Sequence, residues 1–228
     1  MGKKSIFKAI LLKERIKLQK LFWLPFVIVI AVSADVYMSY KSVIASHGAA
    51  ELWIDLVYKQ SIYFDKFKWA LIAGGMLFAY LQFAPECKSG RLRLMFHLPT
   101  PYRLSIYSII FIGVILNIIL SLTAIICLFL VSWMFHFPYE LIFSMLMSVV
   151  PWSIAGIVSY LAVSSIIAES SIVRKLALAF ICVIFISLLT TTNGFFSIKS
   201  DLGLYALTGF FWLFSFEAAA LRIKERVS

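Results

Sequence analysis

Charge is scarce in this chain. Of its 228 residues only 14% are Asp, Glu, Lys or Arg, and 62% are hydrophobic; an average soluble domain is about a quarter charged and about half apolar. A water-soluble globule of this length has no room to bury so much apolar surface, so a soluble fold is excluded and lipid is the expected solvent for most of the chain. Cysteine is scarce as well. Cys87, Cys127 and Cys182 are odd in number and far apart, which excludes a disulfide framework and a cysteine-built metal site.

Several motifs are missing. No G-x-x-x-x-G-K-[ST] occurs, so the backbone cradle and lysine that hold nucleotide phosphates are absent. No H-E-x-x-H occurs, and His47, His97 and His136 fall in three separate loops on alternating sides of the membrane, where they cannot share one metal. No histidine sits within an apolar run at the depth where an intramembrane serine nucleophile would need its base. Met1–Lys20 has no short apolar core followed by a small-residue cleavage site, so no removable signal peptide is expected. There are no internal repeats, low-complexity tracts or domain linkers, and residues 1–228 read as a single transmembrane domain.

Six apolar runs are present. A membrane-crossing helix needs about 20 apolar residues, and Leu21–Tyr40, Phe67–Pro85, Leu104–Phe135, Leu141–Ala168, Leu176–Phe196 and Leu202–Leu221 supply them. The expected fold class is an all-α integral membrane protein with six spans. The third and fourth runs exceed the minimum and are expected to tilt or to project beyond the bilayer.

Acidic residues are half as frequent as basic ones, giving a net charge of +10. The cations fall between and outside the apolar runs, as the positive-inside rule places them, so the charge speaks for membrane topology and no nucleic-acid partner is expected. With both termini on one side, that side holds Lys3, Lys4, Lys8, Lys13, Arg15, Lys17, Lys20, Lys88, Arg91, Arg93, Arg103, Arg174, Lys175, Arg222, Lys224 and Arg226. The other side holds Lys41, Lys59, Lys66, Lys68 and Lys199. Both termini are therefore expected in the cytoplasm.

Two further segments have the pattern of helices lying on the membrane surface. Ser5–Lys20 sets Ile6, Phe7, Ile10, Leu11 and Leu18 apart from its lysines, although Glu14 and Lys17 intrude on the apolar face. Its basic content suits an anionic leaflet. On the other side, in "AAELWIDLVYKQSIYFDKF", Leu52, Trp53, Leu56, Val57, Tyr63 and Phe64 recur at helical spacing opposite Glu51, Asp55 and Lys59. A loop capped by interfacial aromatics is the alternative there.

Polar residues within the runs need partners or water. Asn117, Thr123, Ser159, Thr191 and Asn193 are candidates to line a path; the alternative is hydrogen bonding between helices by small residues. Gly74–Gly75 points to close helix packing, and Glu217 is expected near Arg222 at the cytoplasmic end.

The segment between the second and third runs, "ECKSGRLRLMFHLPTPYRL", is a compact basic elbow. Pro99 and Pro101 forbid a continuous helix, so the chain restarts near Tyr102. Before the break, Glu86–Leu98 is long enough for about three helical turns. Gly90 permits close approach of another surface, and Leu92, Leu94, Met95 and Phe96 stand beside Arg91 and Arg93. An ordinary positive-inside loop would account for the cations alone.

Glu86 leaving the second span, Gly90 four residues on, and Leu98–Pro99 before the third span resemble the membrane subunits, or permeases, of ABC-2 type transporters. The six-run count and the basic helix before the first run are similar to the same family. The resemblance implies that 86–103 is a coupling helix seated in a groove of a separate cytoplasmic ATPase, with Glu86, Gly90, Arg91, Arg93, Leu98 and Pro99 at the contact. The 1–20 helix would also touch that ATPase. It implies a complex of two permease chains, identical or homologous, with two ATPase subunits in a bacterial inner membrane, usually working in export. No cofactor would be bound by this chain; ATP and magnesium would sit on the partner. One departure is that only Ser197–Asp201 is available for the re-entrant hairpin between the last two spans that some members carry. A haem-exporter-like permease of cytochrome c maturation and a non-transporting membrane scaffold or accessory subunit are the alternatives.

Overall fold

The computed structural model describes residues 11–14, 16–18, 21–59, 61–88, 102–190 and 202–225, which form helices joined by short turns, with no strand among them. After a helical N-terminal segment at 11–14 and 16–18 come α1 (Leu24–His47), α2 (Ala49–Val57), α3 (Lys66–Lys88) and α4 (Tyr102–Met134). They are followed by α5 (Tyr139–Ala168), α6 (Ile172–Thr190) and α7 (Leu202–Glu225). Among the described residues, five helices, namely α1, α3, α4, α5 and α6, are long and apolar enough to cross a membrane. The chain is thus an all-α protein built for a bilayer, with α7 covering the sixth expected run. At 1.5 Å per residue, the 33 residues of α4 reach about 50 Å, well beyond a hydrocarbon core of about 30 Å.

The helix limits follow from local chemistry. Pro25 sits in the first turn of α1, where a missing N–H costs nothing. Gly48 ends that helix with φ +88°, a conformation that a side chain would resist, and the chain turns directly into α2. Leu52 and Leu56 of α2 are buried. The helix stops at Val57, short of the longer repeat that the sequence suggests, and Tyr63 and Phe64 belong to the turn leading into α3. Phe64 is buried there against Trp152. At this end Trp53 packs edge-on against Phe137 and Tyr40 against Phe135, Phe137 and Tyr63, an aromatic cluster of the kind found at membrane interfaces.

α5 is the hub, packing against α3, α4, α6 and α7. Its seam with α3 includes a close approach between small residues. A side chain at Gly75 would overlap the carbonyl of Gly156 and the hydroxyl of Ser159, and Ser159 Oγ donates to the Ile72 carbonyl across the seam at 3.0 Å. Small residues matter more here than in a soluble core, because lipid tails give helices no hydrophobic reason to associate and close van der Waals contact must supply the attraction. Large apolar side chains such as Val27, Ile126, Leu130, Phe180 and Val183 point outward, which suits a lipid-facing surface.

Candidate functional site

Where the second span runs into the elbow, a chain of polar side chains is buried in the bundle, with Lys13 at its exposed rim. α3 does not stop at Pro85 but continues through it to Lys88, so Glu86 stands on the last turn of a membrane helix rather than opening a separate one. Its side chain is only 2% exposed. The N-terminal segment reaches it. Lys13 Nζ lies 2.9 Å and Lys17 Nζ 3.1 Å from Glu86 Oε1. Lys17 also lies 2.6 Å from Glu14 Oε1 and donates to the Gln82 carbonyl at 2.9 Å.

The network goes deeper through Gln82. Its amide nitrogen donates to Glu14 Oε2 at 3.1 Å and to the Ile109 carbonyl of α4 at 3.4 Å. Its oxygen accepts from the Tyr160 hydroxyl of α5 at 2.7 Å. Glu14, Gln82 and Tyr160 are at most 1% exposed. A substituent on the Gly113 α-carbon would run into the Tyr160 hydroxyl and the Gln82 oxygen, so α4 must present a bare backbone there. One turn on, Asn117 donates back to the Gly113 carbonyl at 2.9 Å. Two carboxylates and two ammonium groups thus balance to zero, and four segments of the chain are tied together. Isolated, either carboxylate would be very costly to bury; matched and hydrogen-bonded, the group is sustainable but intolerant of losing one member.

The two charges that look like flaws on the apolar face of the N-terminal helix, Glu14 and Lys17, are therefore the residues that dock it. Their separation of three positions puts them on one face of a helix. Gln82 and Tyr160 carry no motif in the sequence, and only the packing of α3 on α5 brings them together. Beside the joint lies a cavity of about 380 Å³, walled by Leu11, Leu18, Phe22 and Trp23 on one side and Ile112 and Leu116 on the other, with Glu14 at its edge.

Other ionic contacts gather at the same end. Arg222 Nη1 donates to Glu169 Oε2 at 2.7 Å, and the Ser170 and Ser171 backbone N–H groups donate to Glu169 Oε1 at 3.0 and 3.4 Å. Burial works to raise the Glu169 carboxyl, but these donors and the guanidinium outweigh it and hold the group below the usual carboxylate range. Glu217, five positions before Arg222 on α7, accepts from the Tyr107 hydroxyl at 2.7 Å. At the opposite end, three lysines meet aspartates: Lys66 with Asp35 at 2.6 Å, Lys59 with Asp55 at 2.7 Å and Lys68 with Asp65 at 2.5 Å.

Of the expected elbow contact residues, Glu86 is placed in the joint, while Gly90, Arg91, Arg93, Leu98 and Pro99 lie outside the described residues. Of the candidate path residues, Asn117 lies beside the joint, Ser159 is buried in the α3–α5 seam, and Thr123 donates to the carbonyl of Ile119 within its own helix. Thr191 and Asn193 lie outside the described residues. The structure does not bring Thr123 together with Asn117 and Ser159 through any hydrogen bond. Compared with known proteins, the chain matches no family model, no curated protein and no solved structure.

Proposed function

We propose that this chain is the membrane subunit of an ATP-driven transporter, an ABC-2 type permease, powered by a separate cytoplasmic ATPase that grips the 86–103 elbow. The observation that carries the reading is the joint itself. Lys13 and Lys17 of the N-terminal segment close on Glu86, at the start of the elbow, from 69 to 73 positions away. Two elements that an ATPase would touch are thereby made into one lever. A push on either is passed through Gln82 into α4 at Ile109 and into α5 at Tyr160, the hub of the bundle. A topology-setting loop needs cations but no such buried attachment to three other segments.

In this reading α7 is the sixth span, both termini lie in the cytoplasm, and the membrane is a bacterial inner membrane. The charge distribution supports that orientation: the end with few cations neutralises three of them with aspartates, leaving the excess positive charge at the other. A second permease chain, identical or homologous, would complete the transport path, and two ATPase subunits would bind ATP with magnesium. Closure of the ATPases would move the elbow as a rigid-body step, and the spans would follow as levers.

The test is ATPase association. Replacing Gly90 with Trp, or reversing Arg91 and Arg93 to Glu, should abolish co-purification of the ATPase while leaving the permease in the membrane. Unchanged association in both variants contradicts the role given to the elbow.

A further inference from the structure

α6 and α7 both lean on α5 and, among the described residues, meet each other mainly through Phe185, which stacks on Phe211 and stands edge-on to Trp212. Between them, at the end of the bundle that carries the joint, opens a cleft of about 510 Å³. Its mouth holds two arginines from different helices: Arg174 in the first turn of α6 and Arg222 near the end of α7. Its walls are apolar. Leu178 lies one turn beyond Arg174, and Phe214 and Phe211 lie two and three turns from Arg222 on one face of α7. From Arg222 to Phe211 the stripe runs about 16 Å along the helix.

We propose that this cleft is a binding site for an anionic phospholipid, with the phosphate between Arg174 and Arg222 and an acyl chain laid along Leu178, Phe214 and Phe211. The charge of the cleft decides the class of ligand. Glu169, the acid in the cleft, is already taken up by two backbone N–H groups and one nitrogen of Arg222. Arg222 keeps further N–H donors, since a guanidinium has five. Arg174 is exposed and makes no ion pair with any described residue. The mouth thus carries unspent positive charge, and the gradient from cationic rim to apolar floor matches a lipid read from headgroup to tail. A soluble phosphate ester would use only the rim, and a zwitterionic lipid would bring its own cation to face two arginines. Basic pockets between spans on the cytoplasmic side are suited to such headgroups. The site depends on the chain being membrane-embedded and makes no use of an ATPase.

The experiment uses the full chain purified in mild detergent, with thermal unfolding and native mass spectrometry as readouts. Phosphatidylglycerol is titrated against phosphatidylcholine of the same acyl chains and against free glycerol phosphate. Phosphatidylglycerol should raise the unfolding temperature in a saturable way and remain bound in the spectrometer; the other two should not. Arg174→Gln should weaken phosphatidylglycerol binding about fivefold, the worth of one basic contact at a membrane surface, and Arg174→Lys should recover most of it. Arg174 holds no contact that the fold needs, so folding is preserved. As a second variant, Ala218→Trp narrows the cleft from α7 and should reduce lipid binding while leaving both arginines in place. Equal effects of the two lipids, full competition by glycerol phosphate, or unaltered binding in Arg174→Gln would each overturn the assignment. Since no ATPase enters the assay, such a failure leaves the transporter reading untouched.

Discussion

Lys17 and Glu86, 69 positions apart, meet at 3.1 Å with the carboxylate almost wholly buried. A contact of this kind is costly to half-remove. Glu86→Gln and Lys17→Met should each destabilise the purified chain by about 3 kcal/mol, the scale for stranding one partner of a buried pair. The double variant should cost less than the sum, with a coupling of about 1 kcal/mol or more. Thermal unfolding of the four proteins in one detergent measures it; strict additivity would show that the two residues stabilise the fold independently.

Gly113 gives a sharper local test. Alanine there collides with the Tyr160 hydroxyl and the Gln82 oxygen, so Gly113→Ala should cost several times the usual penalty of a surface substitution, about 2 kcal/mol or more. The control is Gly209 on α7, where an added β-carbon meets nothing within 4 Å. Gly209→Ala should be neutral or stabilising by up to about 1 kcal/mol. Equal behaviour of the two variants would mean that the α4–α5 approach is looser than the geometry requires.

Ser159 separates packing from permeation. It bridges α3 and α5 and is fully buried between them. Ser159→Ala should therefore lower the unfolding temperature modestly, for a loss of about 0.6 kcal/mol, and leave transport per folded molecule unaltered. A transport defect at full stability would put this hydroxyl on the path instead.

Acid should act on the Glu169–Arg222 tie in a defined window. Glu169 has a carboxyl held below its ordinary value by its backbone donors and Arg222. The unfolded chain then takes up the proton first as pH falls. The tie contributes its full stability above the ordinary Glu value of about 4.3 and loses it progressively as pH drops through the lower folded value. Glu169→Gln should flatten that acid limb of a stability-against-pH curve while leaving the shape near neutrality unchanged. An unaltered acid limb would mean that the carboxylate titrates as it does in the unfolded chain.

Much of the fold is legible in composition and run length alone. The apolar runs announce helices, because a bilayer leaves the backbone no other partner than itself. Their limits shift where chemistry outside the run takes over: α3 passes through Pro85, and α2 ends eight residues before α3 begins. The joint is legible only by its anomalies. Glu14 and Lys17 spoil an otherwise good amphipathic face, and that spoiling is the signal. Gln82 and Tyr160 give no signal, since a lone glutamine and a tyrosine 78 positions apart are brought together only by the docking of α3 on α5. Arg222 shows the limit of reading neighbours along one helix. Glu225 stands three positions after it and Glu217 five before, yet it is Glu169, from the turn between α5 and α6, that meets the arginine, with its other oxygen held by two backbone N–H groups.

The measurement that bears most directly on the central claim is cross-linking from the elbow. Single cysteines placed at Arg91 and Arg93, in a chain whose three native cysteines are replaced by serine, would be treated with a membrane-impermeant thiol reagent and a short bifunctional cross-linker, in intact cells and in inside-out vesicles. The account predicts labelling in inside-out vesicles only, and a cross-linked product containing an ATP-hydrolysing protein whose activity rises on reconstitution with this chain. Labelling from the cell exterior, or a product with no nucleotide-hydrolysing partner, would contradict it.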